Sequence, residues 1–214
     1  MKKNVIRNVI IIVLIGCILF IGGYYFTGRV VQEIELEEFV YNGFNFTIDD
    51  TKDMTFYILQ YYVRSGMEMV PGTPIPFRSD PRVIDSIPCD ITRQDILNNK
   101  LVTFYFTQDP ELEIKTRKKS IVATETITRV LDATKSPFLF PIDVEYAYTS
   151  EKAESPLPVV TCEDANNLVK VITLREAEKT AIITEGNCIY VQGVNGDEMI
   201  KAAERFVYSA MGVM

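Results

Sequence analysis

The most regular hydrophobic pattern in the chain is an uninterrupted apolar run near its start. Residues 9–26 read VIIIVLIGCILFIGGYYF and contain no charged side chain. As an α-helix, which rises about 1.5 Å per residue, this run extends about 27 Å and matches the hydrocarbon thickness of a bilayer. We therefore expect residues 1–28 to form a transmembrane helix and residues 29–214 to form one globular domain.

Charged residues on either side of the run indicate its orientation. Lys2, Lys3 and Arg7 precede it, whereas four glutamates lie between residues 33 and 38. Positive charge before the helix favours a cytoplasmic N-terminus and an extracytoplasmic domain. We expect an uncleaved signal anchor, which holds the protein in the cell membrane as a single-pass protein through residues 9–26.

Two other fates of the segment compete with a signal anchor. A cleaved secretory signal has a shorter apolar core and a small-x-small cleavage site, which this segment lacks. Residues 14–17, Leu-Ile-Gly-Cys, look like a lipobox with Cys17 as the lipidated residue. The mature chain would then begin with further apolar residues instead of a polar tether, so the signal anchor is preferred and the other two fates stay open.

Beyond the anchor, branched and aromatic runs predict short strands, and two longer stretches have helical periodicity. Asn42-Gly43 between apolar residues is a strong hairpin signal. Apolar or small residues recur at a helical spacing in a terminal helix that starts near Asn195 and in 118–133, where they form one face: Ile121, Thr124, Ile127, Val130 and Leu131. The strands are expected at 39–41, 44–48, 55–63, 101–106, 143–149, 169–174, 180–184 and 188–192.

These elements predict a mixed α/β (α+β) fold with one mixed sheet and two main helices. Strand, helix and strand over 101–149 predict a parallel crossover unit. Residues 29–154 contain this unit, and residues 155–214 add the last strands and the terminal helix to the same domain. A proline-rich connector at 155–158 separates the two parts.

Composition narrows the range of functions. The formal charge is −7, and because the first 28 residues carry +3, the remainder carries −10. An acidic domain is a poor binder of nucleic acid, so no nucleic-acid partner is expected. The chain has no histidine, which excludes serine–histidine and cysteine–histidine catalysis. No motif indicates a catalytic residue, a metal site or a cofactor.

Four cysteines occur, at positions 17, 89, 162 and 188. Extracytoplasmic cysteines tend to oxidise in pairs, and Cys162 and Cys188 lie at the edges of predicted strands in the same C-terminal part. We expect a Cys162–Cys188 disulfide, which leaves Cys89 unpaired and either buried or available to another chain. Asn45-Phe46-Thr47 is a glycosylation sequon, so Asn45 is a candidate for modification in an exported domain.

Two charged clusters are candidate sites, and each also has a purely structural interpretation. Arg78 and Arg82 flank Asp80, and together they offer either an arginine fork for a carboxylate or phosphate, or a local cluster of salt bridges and helix caps. Asp109, Glu111 and Glu113 follow the strand at 101–106. Alternation would place Glu111 and Glu113 on one face as a carboxylate pair for acid–base work or metal binding. Exposed acids before a helix are the alternative.

Four segments carry a resemblance to a known group of proteins: 41–46 (YNGFNF), 161–165 (TCEDA), 186–189 (GNCI) with Gly193, and the ending at 202–214. In these segments the chain resembles an uncharacterised family of small membrane-anchored proteins from small-genome archaea. The resemblance covers most of 39–214 and implies export and an archaeal envelope context. Its matching cysteines favour the Cys162–Cys188 pairing, and it implies no activity.

We therefore expect a non-enzymatic cell-envelope interaction module that meets other surface proteins or glycans. An anchored subunit that binds a ligand or a partner is the alternative, and a carboxylate-dependent hydrolase is a third. An interaction module requires an exposed apolar patch, and a ligand-binding subunit requires an apolar cavity with a few inward polar groups. A hydrolase requires the acidic candidates to converge in a pocket.

Thiol labelling of the protein taken from its own host tests the expected export. In denatured samples without reductant, we expect Cys162 and Cys188 to resist alkylation, because an extracytoplasmic pair is oxidised. Both should react after reduction. Cys89 is the internal control, since it is expected to react in both samples. Alkylation of Cys162 and Cys188 without reductant contradicts export.

Overall fold

The computed structural model describes residues 36–51, 53–96, 102–132, 134, 142–151 and 155–214. Leu36–Met214 form one compact unit. The predicted anchor at 9–26 and Cys17 lie outside the described residues, as do residues 101 and 133, which are predicted ends of a strand and a helix. Within the described ranges, no helix has both the length and the apolar character needed to cross a membrane.

The first half of the domain is a four-stranded antiparallel sheet with the order β1-β2-β3-β6. Its strands are β1 (Glu37–Tyr41), β2 (Phe44–Thr51), β3 (Met54–Gln60) and β6 (Ile75–Phe77). The predicted Asn42-Gly43 turn joins β1 and β2. Both turn residues have positive φ, 48° and 82°, as a two-residue type I′ turn requires.

A separate two-stranded hairpin follows β3. Its strands are β4 (Tyr62–Ser65) and β5 (Glu68–Pro71), which pair in antiparallel register. The single strand predicted at 55–63 is therefore divided, because β3 ends at Gln60 and β4 starts two residues later.

The second half is a five-stranded mixed sheet with the order β10-β11-β9-β7-β8. Its strands are β7 (Val102–Gln108), β8 (Ile142–Tyr148), β9 (Val169–Glu176), β10 (Ala181–Glu185) and β11 (Cys188–Gly193). All neighbouring pairs are parallel except β10 with β11. The parallel pairing of β7 and β8 around a helix confirms the predicted crossover unit.

Four α-helices occur in the described ranges: α1 (Pro81–Ile84), α2 (Arg93–Ile96), α3 (Ile114–Leu131) and α4 (Gly196–Met211). The long helices α3 and α4 are the two main helices that the sequence predicts. Asn195 caps α4, because its side-chain oxygen accepts hydrogen bonds from the N–H groups of Asp197 and Glu198. Gly212, with a φ of 77°, ends the helix.

Helix α4 packs against both sheets. On one side, the Tyr208 ring centroid lies 4.3 Å from that of Phe77 on β6 and 6.0 Å from that of Phe46 on β2. On the other side α4 lies along β11, so closely that a Cβ on Gly193 would overlap the backbone nitrogen of Met199. Twelve of the 16 residues of α4 are buried, and the other four form one narrow polar strip: Asp197, Glu198, Lys201 and Arg205.

A smaller apolar cluster covers the opposite face of the five-stranded sheet. Val171 of β9 and Cys188 of β11 pack there against Val160, which follows the proline-rich connector. A 3₁₀ turn at Cys162–Asp164 brings Cys162 over this face. The Cα atoms of Cys162 and Cys188 are 5.4 Å apart and their sulfur atoms lie at disulfide distance, so the predicted pair is brought together.

The mixed α+β architecture is confirmed, but the second, antiparallel sheet is not predicted from the sequence. Its strand β6 reads Ile-Pro-Phe and lies in a segment that proline marks as a loop. Proline is tolerated there because β6 is the outermost strand of its sheet. Helix α3 begins at Ile114, four residues before the predicted start at 118. The sequence does not predict this first turn, because residues 115–117 are polar and do not continue the apolar repeat of the helix.

Candidate functional site

Three clefts on the described part of the domain combine apolar walls or converging charges with enough volume for a ligand. Each is named here by a residue or element that lines it. The β8 cleft has a volume of 370 Å³, the helix-terminus cleft 330 Å³ and the Glu204 cleft 280 Å³. These volumes lie near the lower end of the range for small-molecule sites.

The β8 cleft opens between α3 and the outermost strand β8. Its walls are Phe106 of β7, Tyr146 of β8 and Ile121 of α3, and Leu157 of the connector lies at its margin. Phe106 and Tyr146 are direct neighbours across the parallel strands, with ring centroids 6.5 Å apart. Ile121, Tyr146 and Leu157 expose 58%, 40% and 39% of their surface. The cleft therefore presents apolar side chains to solvent.

The exposure of Ile121 differs from the expectation that it lies on the core face of α3. Ile127 and Val130, which belong to the same predicted stripe, are fully buried. Helix α3 packs against α4 and β9, and it leaves the outer strand β8 partly uncovered. As a result, the middle of α3 borders the cleft with Ile121, Thr124 and Glu125.

The helix-terminus cleft lies where the N-termini of α3 and α4 meet. Lys119 of α3 donates to Asp197 of α4 with a distance of 2.6 Å between Nζ and Oδ1. Thr116 donates to Glu176 at 2.8 Å. The hydrogen bond from Lys119 holds the pKa of Asp197 below its ordinary value. Because Lys119 and Asp197 pair with each other and the Glu176 carboxylate accepts from Thr116, these polar groups at the cleft are already engaged within the protein.

The acidic candidates after β7 do not converge. β7 ends at Gln108, and the chain then turns, with the N–H of Glu111 donating to Asp109 Oδ1 at 2.8 Å. The expectation that Glu111 and Glu113 share one strand face is therefore wrong. Asp109, Glu111 and Glu113 are all exposed, and Glu113 borders the helix-terminus cleft. No cluster of three potential metal ligands occurs among the described residues.

The arginine cluster is divided between two roles. Asp80 caps α1 by accepting the N–H of Arg82 at 2.8 Å, and it pairs with the Arg82 guanidinium at 2.6 Å. Burial alone would raise the pKa of Asp80, but the hydrogen bonds from Arg82 outweigh it and lower that pKa. The Arg82 guanidinium also stacks 4.1 Å from the Phe39 ring centroid. Arg78 does not join this cluster and lines the Glu204 cleft instead.

The Glu204 cleft contains a buried carboxyl group that the sequence analysis missed. Glu204 of α4 is 1% exposed, and its Oε1 accepts the N–H of Arg78 at 2.7 Å. Within the described part of the chain, its Oε2 has no hydrogen-bond partner. Burial raises the pKa of Glu204, and the N–H and charge of Arg78 together with the polar groups of the nearby Ser79 offset this only in part. The sequence does contain a signal for this burial. Glu204 lies four residues after Ile200 and four residues before Tyr208, which places it on the apolar face of α4.

Cys89 and Asn45 occupy ordinary structural positions. Cys89 is unpaired and half-buried, with its sulfur 3.4 Å from Ser209 Oγ and 3.5 Å from the Ile91 carbonyl oxygen. Asn45 is exposed on β2, between β1 and β3. Its side chain is therefore accessible, although the sequon lies within a sheet.

The chain matches no family model, no curated protein and no solved structure.

The pH dependence of stability tests the environment of Glu204. The ordinary pKa of this carboxyl group is 4.5, and burial raises the pKa in the folded protein. Between the two values the folded state binds an extra proton, so the free energy of unfolding falls as the pH rises through this window. We expect Glu204→Gln, which cannot titrate, to lose less stability than the parent as the pH rises above 4.5.

Urea unfolding at a series of pH values measures this difference. Asp80 and Asp197, whose pKa values are lowered, also make the free energy of unfolding depend on pH. Their contributions are the same in parent and variant, so they cancel when the two profiles are compared. Parallel stability profiles of parent and variant contradict the described burial of Glu204.

Proposed function

We propose that the protein is a single-pass, membrane-anchored binding protein of the cell envelope without a catalytic site of its own. We further propose that its β8 cleft receives an apolar side chain of a partner protein. The β8 cleft is the observation that carries the proposal, because it combines exposed apolar walls with a few polar groups at its margin. This combination is what a binding surface requires.

The walls of the β8 cleft suit one or two inserted side chains. Residues that contribute most to protein–protein affinity are aromatic or large apolar groups that fill a pocket and lose contact with water. Burial of apolar surface contributes about 25 cal/mol per Å². Phe106 and Tyr146 form an aromatic floor, and Ile121 adds an aliphatic wall. Gln108 and Glu125 at the margin supply polar contacts that orient the inserted group.

The backbone edge of β8 is a less suitable docking element than the cleft. β8 is the outermost strand of its sheet, and such strands accept additional strands in many complexes. Its exposed Asp143 and Glu145, however, place charge along the strand, which disfavours edge-to-edge pairing. At its end, the N–H of Tyr148 already donates to the Pro158 carbonyl oxygen at 2.9 Å.

Two observations favour binding over hydrolysis. The candidate acids Asp109 and Glu111 are exposed and face no common cleft, whereas acid–base hydrolysis needs convergent carboxyl groups. Glu113 does border a cleft, but Lys119 and Asp197 pair with each other there. The carboxylate-dependent hydrolase is therefore the weakest of the three alternatives.

The placement outside the cytoplasm has separate support. Cys162 and Cys188 at disulfide distance suit an oxidising compartment, because cytosolic thiols are kept reduced. The apolar run at 9–26 and the preceding lysines favour an anchor with the domain outside. The resemblance to small membrane-anchored archaeal proteins stays a prediction.

Site-specific photocrosslinking in membranes of the native host tests the docking surface. Tyr146 is replaced by the photoreactive aromatic residue p-benzoylphenylalanine, which keeps the first ring of the side chain and extends it by a benzoyl group. We expect a discrete protein adduct from this position, because an inserted partner side chain would lie against Tyr146. Adding Leu157→Asp to the same protein should abolish the adduct, since a charge at the margin opposes apolar burial.

Tyr62 is the matched control position. It is 56% exposed, lies on the β4–β5 hairpin and does not line the β8 cleft. No adduct of the same mass is expected from p-benzoylphenylalanine at Tyr62. An adduct from Tyr62 with none from Tyr146, or no adduct from either position, contradicts the proposed docking surface.

A further inference from the structure

The Glu204 cleft is the strongest candidate for a small-molecule site. It lies between the four-stranded sheet and the two long helices, with Phe56 and Pro76 on the sheet side and Val122 on α3. Ile121 and Glu125 border both this cleft and the β8 cleft, which therefore flank the same part of α3. The chemistry of the two clefts differs, because a buried carboxyl group and two arginines line the Glu204 cleft and do not line the β8 cleft.

The buried Glu204 oxygen is an incomplete hydrogen-bonding site. Oε1 is satisfied by the N–H of Arg78 at 2.7 Å, but Oε2 has no hydrogen-bond partner in the described residues. A buried acceptor that lacks a partner loses the hydrogen bonds that water would have provided. A ligand hydroxyl that donates to Oε2 would restore the missing interaction.

Two guanidinium groups line the same cleft. Arg129 donates from Nη2 to the Pro76 carbonyl oxygen at 3.2 Å, and its Nε is buried without a hydrogen-bond partner in the described ranges. Arg78 is exposed at the margin, and its charge acts on Glu204. Guanidinium groups are well suited to bind a carboxylate, because several N–H donors converge on it.

Two arginines and two glutamates line the cleft, so their formal charges cancel. The N–H donor of Arg129 that has no partner among the described residues favours a ligand that offers an acceptor over an amine. A phosphate dianion would bring two negative charges towards Glu125 and Glu204, whereas a carboxylate brings one. The ring of Phe56 and the side chains of Ile121 and Val122 offer an apolar wall for a carbon skeleton. A volume of 280 Å³ restricts the ligand to a small molecule or a single sugar unit.

We propose that the Glu204 cleft binds a small hydroxylated carboxylate, such as a sugar acid or a hydroxy acid. Its carboxylate is received by Arg78 and Arg129, and one of its hydroxyl groups donates to Glu204 Oε2. This site is separate from the proposed protein-docking function of the β8 cleft, so that either proposal can fail without the other.

Titration of the full-length protein in detergent with matched small molecules tests the proposal. The probes are glucuronate, glucose, which lacks the carboxylate, and cyclohexanecarboxylate, which lacks the hydroxyl groups. Lactate tests whether a short hydroxy acid suffices. By calorimetry or NMR shift perturbation, we expect glucuronate or lactate to bind at least about tenfold more tightly than glucose and cyclohexanecarboxylate, which corresponds to one good hydrogen bond or charge contact.

Three variants assign the binding to this cleft. Arg78→Ala should weaken the preferred probe about tenfold through loss of a charge-assisted contact. Glu204→Gln should also weaken it, because the amide nitrogen turned towards the ligand cannot accept a hydroxyl. Arg82→Ala is the matched control, since it removes the same charge from the neighbouring helix α1 but does not line the cleft. It should leave the affinity within about twofold.

The outcomes that overturn the proposal are specific. Equal binding of all four probes, or no binding of any probe, contradicts a site for hydroxylated carboxylates. An equal loss of affinity in Arg78→Ala and Arg82→Ala shows a general charge effect and also contradicts it. Circular dichroism of each variant establishes that it is folded, and Arg78→Ala decides the question if Glu204→Gln is unstable, because Arg78 is exposed.

Discussion

The burial of helix α4 between two sheets is the interaction on which the domain depends. Tyr208 packs against Phe46 and Phe77 of the four-stranded sheet, while the opposite side of the helix lies along β11 of the five-stranded sheet. Helix α3 adds a second link, because its Arg129 donates to the Pro76 carbonyl oxygen of β6 and the same helix contacts β9. Because apolar burial is the main favourable term in folding, the shared burial of α4 is the principal connection between the two sheets.

The same packing explains the position of the clefts. The least buried residues of α4 recur every four positions, at Asp197, Lys201 and Arg205, and form one narrow strip. Glu204 lies outside this strip, so its carboxyl group is buried beside the N–H of Arg78. Helix α3 is covered less completely, and its Ile121 and Glu125 border two clefts. The proposed binding surfaces are therefore places where the helical layer leaves parts of the sheets open.

Local signals in the sequence predicted local structure well. Asn42-Gly43, Asn195 and Asp80 act through neighbouring backbone groups, and each forms the turn or helix start that its chemistry requires. Non-local pairing was harder to predict, because the partner of a strand is not encoded at a fixed distance along the chain. The short strand with Pro76 and the exposed Ile121 follow from packing that periodicity alone does not describe, and Glu204 was overlooked within an apolar stripe.

Hydrogen exchange along α4 tests most directly whether this helix holds the two sheets together. We expect the amides of 203–208 to exchange only by global unfolding, with the same free energy as the central strands β2 and β9 of the two sheets. Denaturant should then lower all three free energies with one common slope. Faster exchange of α4 by local opening, or different free energies for the two sheets, would contradict this account.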